Sequence, residues 1–204
     1  MRHKLGVLCF FIGTVLLCGA LSLFLHNRNE AAEAEQAVYA VLPELRAAVP
    51  EEPDQQALTS SLKPEEFLTE EDLKMTEVVI GGYAYIGYLS IPSLELDLPV
   101  MSDWTYAKLQ SAPCRYAGTL RGNNLVLMAH NYDKHFGRLS KLNVGDELFF
   151  TDMDGITTAY YVAERDVLDP YSVEEMTAGA YDLTLFTCTF GGKSRVTVFC
   201  DRQE

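Results

Sequence analysis

Leu183-Thr184-Leu185-Phe186-Thr187-Cys188, a short loop, and then Arg195-Val196-Thr197-Val198-Phe199 are the runs that decide how this chain is read. Both are rich in β-branched and aromatic residues, and Gly191-Gly192 lies between them, so they predict two strands joined by a turn. Side chains alternate along a strand, which sets Thr184, Phe186 and Cys188 on one face with the thiol at the strand's end. Arg195 follows Cys188 by seven positions (195 − 188 = 7), close enough for thiol and guanidinium to converge at one rim of a sheet. Upstream, Leu125-Val126-Leu127-Met128 predicts another apolar strand, and it runs directly into Ala129-His130-Asn131. A thiol, an imidazole and a guanidinium thus each stand at the end or edge of a predicted strand.

The T-L-F-T-C run, the A-H-N tripeptide and the trailing arginine together resemble the sortases, the cysteine transpeptidases of Gram-positive cell surfaces. Ala129 stands where that family commonly has glycine, and the seven-position gap between cysteine and arginine is short for it. The resemblance covers roughly Tyr83–Asp201 and implies a mainly β fold, a closed eight-stranded barrel with short helices. The local patterns agree with that class. Leu94, Leu96 and Leu98 alternate with acidic residues at the period of a half-buried strand, and Ser102-Asp103 offers a cap for a short helix over Thr105–Gln110. Asp154-Gly155 between two apolar runs signals a hairpin.

The remaining chain divides by composition. Residues 1–26 carry Arg2 and Lys4 ahead of an uncharged run from Leu5 to Leu25. Twenty-one residues at about 1.5 Å each give roughly 31 Å of helix, the thickness of a bilayer core. This predicts an uncleaved transmembrane anchor with a cytoplasmic N-terminus and an extracellular remainder. Residues 27–75 are acidic, with a helix-like pattern through Leu45 that is interrupted at Pro43, and read as a spacer or, less simply, a lid. The folded domain is expected over 76–204. A formal charge of −13 without any basic stripe excludes a nucleic-acid binder.

Five cysteines are present, and none has metal-ligand spacing with another Cys or His, so neither a metal nor another cofactor is expected. Cys114 and Cys200 read as buried thiols or as an extracellular disulfide. His135, within Tyr132–Arg138, reads as a surface histidine.

The resemblance implies Cys188 as nucleophile, His130 as general acid and later base, and Arg195 as the group that orients substrate and stabilises the oxyanion. It implies Thr187 and Tyr171 as substrate-binding residues, with specificity in the Asp169–Asp182 loop. The partners implied are secreted surface proteins with a C-terminal sorting signal of the LPxTG type, and an amine acceptor from a cell-wall precursor or pilin. At unperturbed values of about 6.5 and 8.5, a thiolate–imidazolium pair is only about 1% of the neutral one. No helix start follows Thr189, so a mostly neutral resting pair and slow turnover are expected. Two other classes fit the same residues: a hydrolytic cysteine peptidase, and a membrane-anchored β-barrel adhesion module without catalysis.

Overall fold

The computed structural model describes residues 2–61 and 68–203. The acidic pair at 65 and 66 lies outside them. Nine strands form one sheet: β1 (Val78–Ile80), β2 (Tyr83–Ile91), β3 (Leu96–Met101), β4 (Cys114–Ala117), β5 (Leu125–Met128), β6 (Glu147–Asp152), β7 (Thr157–Leu168), β8 (Leu183–Cys188) and β9 (Arg195–Arg202). Their order is β1-β2-β3-β4-β5-β8-β9-β7-β6, and β6 pairs back onto β2. The ring from β2 round to β6 is therefore a closed barrel of eight strands, with β1 an extra strand on the free part of the β2 edge. Closure removes the unpaired edges that would otherwise invite association.

The predicted strands form where the alternation placed them. In β8, Leu183 and Leu185 point into the barrel core, where they meet Leu125 and Leu127 of β5 and Val198 of β9. Phe186 of the opposite parity joins Val126, Phe199, Leu168 and Met176 in a smaller cluster on the barrel's outer side. The Asp154-Gly155 hairpin joins β6 to β7, with Gly155 at φ +83°, a conformation that suits glycine.

Three local expectations are corrected. Leu94 falls in a 3₁₀ turn over Pro92–Leu94 rather than in a strand, because the β2–β3 hairpin closes at Ile91↔Leu96 and Glu95 takes φ +52° to make the turn. All three leucines are buried even so. Two helices, α1 (Arg2–Ala48) and α2 (Gln55–Ser61), precede the short helix α3 (Tyr106–Leu109), which is capped by Thr105 and not by Ser102-Asp103: the Thr105 hydroxyl accepts from the Lys108 amide. Pro43 does not end a helix. α1 runs unbroken over Arg2–Ala48, about 70 Å at 1.5 Å per residue.

The two halves of α1 differ. The N-terminal half is long and apolar enough to cross a membrane, and its large side chains such as Phe10, Leu17 and Phe24 are exposed. The C-terminal half lays Ala34, Val38, Leu42 and Leu45 against the barrel, spacings of three and four that put them on one helix face. Leu45 is fully buried in a second core with Tyr85, Met101, Cys114 and Met153, outside the barrel interior. Arg46 pairs with Asp97 at 2.9 Å, and Glu35 with Lys134 at 3.6 Å.

Helix α2 (Gln55–Ser61) follows a stretch that is also fastened down. Asp154, at the β6–β7 turn, accepts from the Asp54 amide at its backbone oxygen and from the Thr76 hydroxyl at its carboxylate, and pairs with Arg121 at 2.6 Å. Arg121 in turn donates to the Lys74 carbonyl. The described residues between α1 and β1 are thereby tied to the barrel at the end of the β6–β7 hairpin.

Candidate active site

Strand parity and register bring three side chains into a row. Thr184, Phe186 and Cys188 share the outer face of β8. β5 runs parallel to β8 with Met128 beside Phe186, so His130, two residues further on and of the same parity, arrives beside Cys188. β9 returns antiparallel with Arg195 directly opposite Cys188. Two hydrogen bonds hold the β5 extension against β8. The Ala129 amide donates to the Phe186 carbonyl at 3.3 Å, and the Thr187 hydroxyl donates to the Ala129 carbonyl at 2.8 Å.

The loop between β8 and β9 explains how so short a gap serves. The Thr189 amide donates to the Ser194 carbonyl, the Ser194 amide to the Thr189 hydroxyl, and the Gly192 amide to the Thr189 carbonyl. Gly191 and Gly192, at φ +82° and +73°, allow the tight reversal. The Arg195 guanidinium folds back on this loop, with Nη1 donating to the Gly192 and Ser194 carbonyls at 3.1 Å each. Its Nε and Nη2 make no hydrogen bond with the described residues.

A cleft of about 200 Å³ lies over the row, and Cys188, His130, Arg195 and Thr187 all line it. Trp104, Tyr106 and Tyr116 form one wall: Trp104 packs edge-on to Tyr106 at 5.9 Å, and Tyr116 packs edge-on to Phe186 at 5.2 Å. Pro170, Val173 and Met176 form another, with Val173 and Met176 on α4 (Val173–Thr177) inside the Asp169–Asp182 loop. Sequence reasoning missed the aromatic wall. A cluster of exposed-type aromatics in Trp104-Thr105-Tyr106, just past a strand end, was the available signal. Tyr171 is not brought to the cleft. Its side chain is 89% exposed, and its hydrogen bonds are made by the backbone: the amide donates to the Asp169 carboxylate and the carbonyl accepts from the Val173 amide. Thr187 is 3% exposed, with its hydroxyl committed to the Ala129 carbonyl.

The three thiols of the barrel have different surroundings. Cys114 and Cys200 are both free and fully buried. Burial pushes the Cys114 thiol up to about 12 and raises that of Cys200 as well, which leaves both without reactive thiolate at neutral pH. Cys188 is half-buried and opens onto the cleft. Burial also lowers the His130 pKa, against an opposing pull from the Glu30 carboxylate on α1, so a neutral imidazole is favoured. The His130 ring packs 5.1 Å from that of Tyr132, and Tyr132 lies 5.5 Å from His135.

His135 is a correction. It is fully buried, not on the surface, because α1 crosses over it at Ala34. Burial, reinforced by the neighbouring His130, drops its pKa to about 4. Neither ring nitrogen has a well-formed hydrogen bond.

Fold and site together define a closed β-barrel that carries a cysteine, a histidine and an arginine in one row at its rim. The family described as Sortase domain matches residues 89–203. Sortase C1 from Streptococcus suis is 30% identical over 59% of this chain and 73% of its own, with a TM-score of 0.53. Sortase C1 from Streptococcus agalactiae is 21% identical, covers 81% of this chain and 98% of its own, and superposes with a TM-score of 0.63. Sortase C from Clostridium perfringens, solved with the C-terminal cell wall sorting motif, is 22% identical over 84% of this chain and 100% of its own, at a TM-score of 0.59. No curated protein matches the chain. The chain belongs to the sortase family, whose members are cysteine transpeptidases.

Proposed function

We propose that this sortase is held in the membrane by the N-terminal half of α1, with its barrel outside the cell. There it cleaves an LPxTG-like sorting signal through a thioacyl intermediate on Cys188 and transfers the acyl group to an amine. The observation that carries this reading is the register that lines His130, Cys188 and Arg195 along three neighbouring strands beneath one cleft. The Clostridium perfringens sortase solved with a sorting motif supports the substrate class.

The chemistry follows from the side chains. A neutral His130, which burial favours, accepts the thiol proton as Cys188 attacks the scissile carbonyl. The imidazolium so formed protonates the departing amine, and the C–N bond is exchanged for a C–S bond. The guanidinium of Arg195 turns from its loop carbonyls to the oxyanion, for which its planar fork and fixed charge suit it. The apolar and aromatic walls of the cleft receive the leucine and proline of the signal, leaving the polar row for the reacting bond.

The test is mass spectrometry of the intact protein after incubation with an LPxTG peptide. The expected result is an acyl adduct on Cys188 that is absent from Cys188→Ala and that an added amine discharges. Absence of any adduct, or equal labelling of Cys114, overturns the reading.

A further inference from the structure

The cleft over Cys188 has a neighbour of opposite character. Between α1 and the barrel lies a second cleft of about 350 Å³, lined by His26, Glu30 and Glu33 on one side and by Gln110, Ser111 and Tyr132 on the other. The two clefts share a partition. Leu109 lines the first, and the next two residues line the second. His130 lines the first, and Tyr132, whose ring packs against it at 5.1 Å, lines the second. We propose that this second cleft is the acceptor entrance, where Glu30 and Glu33 of α1 draw a cationic primary amine to the side of His130 away from the acyl donor.

Three observations carry the assignment, which rests on the transpeptidase reading above. First, the walls differ in charge. The donor cleft is walled by Trp104, Tyr106, Val173 and Met176, whereas the second cleft presents two carboxylates and no lysine or arginine. Its single basic side chain, His26, is already paired with Glu30 at 3.3 Å. Second, the Glu30 carboxylate is near enough to act electrostatically on both His130 and Tyr132. Third, the second half-reaction needs a cation delivered there. An acceptor amine reaches the enzyme as an ammonium ion and must lose a proton before its nitrogen can attack. The His130 imidazole is the base beside the thioester, and the donor cleft is filled by the acyl group at that moment.

The step balances without a further reactant. The C–N bond of the product amide forms, and the C–S bond to Cys188 breaks. Of the three protons on the ammonium nitrogen, one stays as the amide N–H, one passes through His130 to the Cys188 sulfur, and one goes to solvent.

The experiment uses the full chain in detergent micelles, an LPxTG peptide as donor, and the ratio of aminolysis to hydrolysis products as the readout. Both products arise from one thioacyl enzyme, so the ratio reports acceptor capture independently of how fast that enzyme forms. Ethylamine, a cation at pH 7, is compared with hydroxylamine, which is neutral there. In E30Q/E33Q the ratio for ethylamine is expected to fall about fivefold to tenfold, the size of losing two partly screened charge contacts, and that for hydroxylamine less than twofold. E30K/E33K, which reverses the field, should lower the ethylamine ratio further. An unmoved ethylamine ratio, or an equal fall for both acceptors, overturns the acceptor cleft while leaving the transpeptidase reading in place. Failure of the unaltered protein to form a Cys188 thioacyl adduct at all overturns that reading and this inference with it.

Discussion

The rim of the barrel and the C-terminal half of α1 meet just past His130, at Tyr132 and His135, yet they are built by different rules. At the rim, position follows from neighbours in sequence and one strand pairing: the parity of β8, the glycine turn after Cys188 and the register of β5 bring His130, Cys188 and Arg195 together. On α1, position follows from contacts with residues far along the chain, such as Leu45 against Met101 and Cys114, or Ala34 over His135. The proposed reaction gives each side chain of the first arrangement a chemical role, so that arrangement should tolerate little change. The second is a packing surface whose loss is graded.

The sharpest break of that comparison is removal of the proposed nucleophile. Cys188→Ala and His130→Ala are each expected to reduce product formation below detection by chromatography, while Cys114→Ala, which alters a buried and unreactive thiol, retains turnover. Loss of activity on His135→Ala with none on His130→Ala would move the catalytic imidazole to the residue under α1. Arg195→Lys comes next. It keeps the charge and removes the fork, and loss of an oxyanion donor costs on the order of 100-fold in turnover. Near-normal activity would confine Arg195 to the loop carbonyls on which it rests.

The helix side is tested by stability. Leu45 is fully buried, so Leu45→Ala should cost about 2–5 kcal/mol, read as a lower urea midpoint with the slope unchanged. Arg46→Ala removes a pair whose members are 46% and 41% exposed, so less than about 1 kcal/mol is expected. Equal and negligible effects of both would return this segment to the role of a free spacer.

How much could be read from the sequence divides along the same line. That Cys188, His130 and Arg195 converge at one rim was legible because strand alternation is local and the glycine pair marks the turn. The barrel's closure was implied by resemblance, and the pairing of β6 with β2 supplies it. The apolar stripe of α1 was visible at Val38, Val41, Leu42 and Leu45, but its counterpart lies on β1 to β3, so no local pattern said what covers it. Pro43 misled for a physical reason. It sits on the exposed side of a helix held by tertiary packing, where the lost hydrogen bond is affordable. His135 misled because Tyr132–Arg138 is polar in composition and the helix that lies over His135 comes about a hundred residues earlier. The aromatic wall escaped because Trp104 and Tyr116 come from separate elements and meet only in the folded barrel.

The last test uses acid to set the two regions against each other through His135. Its ring is neutral in the folded protein, with a pKa of about 4, whereas in the unfolded chain it returns to its ordinary value near 6.5. Above pH 6.5 neither state holds the proton, so stability is indifferent to this group. Between about 6.5 and about 4 the unfolded state binds a proton that the folded state excludes, so stability falls as pH falls. Below about 4 both are protonated and the loss is complete, at most about 3 kcal/mol for 2.5 units at 1.36 kcal/mol each. Glu30 and Glu35 on α1, with Tyr132, Lys134 and His130 on the barrel side, also surround this interface and titrate or carry charge, so the whole-protein profile does not isolate one ring. The difference between the unaltered protein and His135→Phe does. The phenylalanine variant is expected to lose less stability between pH 7 and pH 4.5. In the unaltered protein, hydrogen-exchange protection factors, taken relative to the intrinsic rate at each pH, should fall at Ala34–Leu45 on acidification before those in β8 and β9 do. Matching pH profiles for the two proteins, or barrel strands that open first, would show that the buried imidazole is not what couples α1 to the barrel.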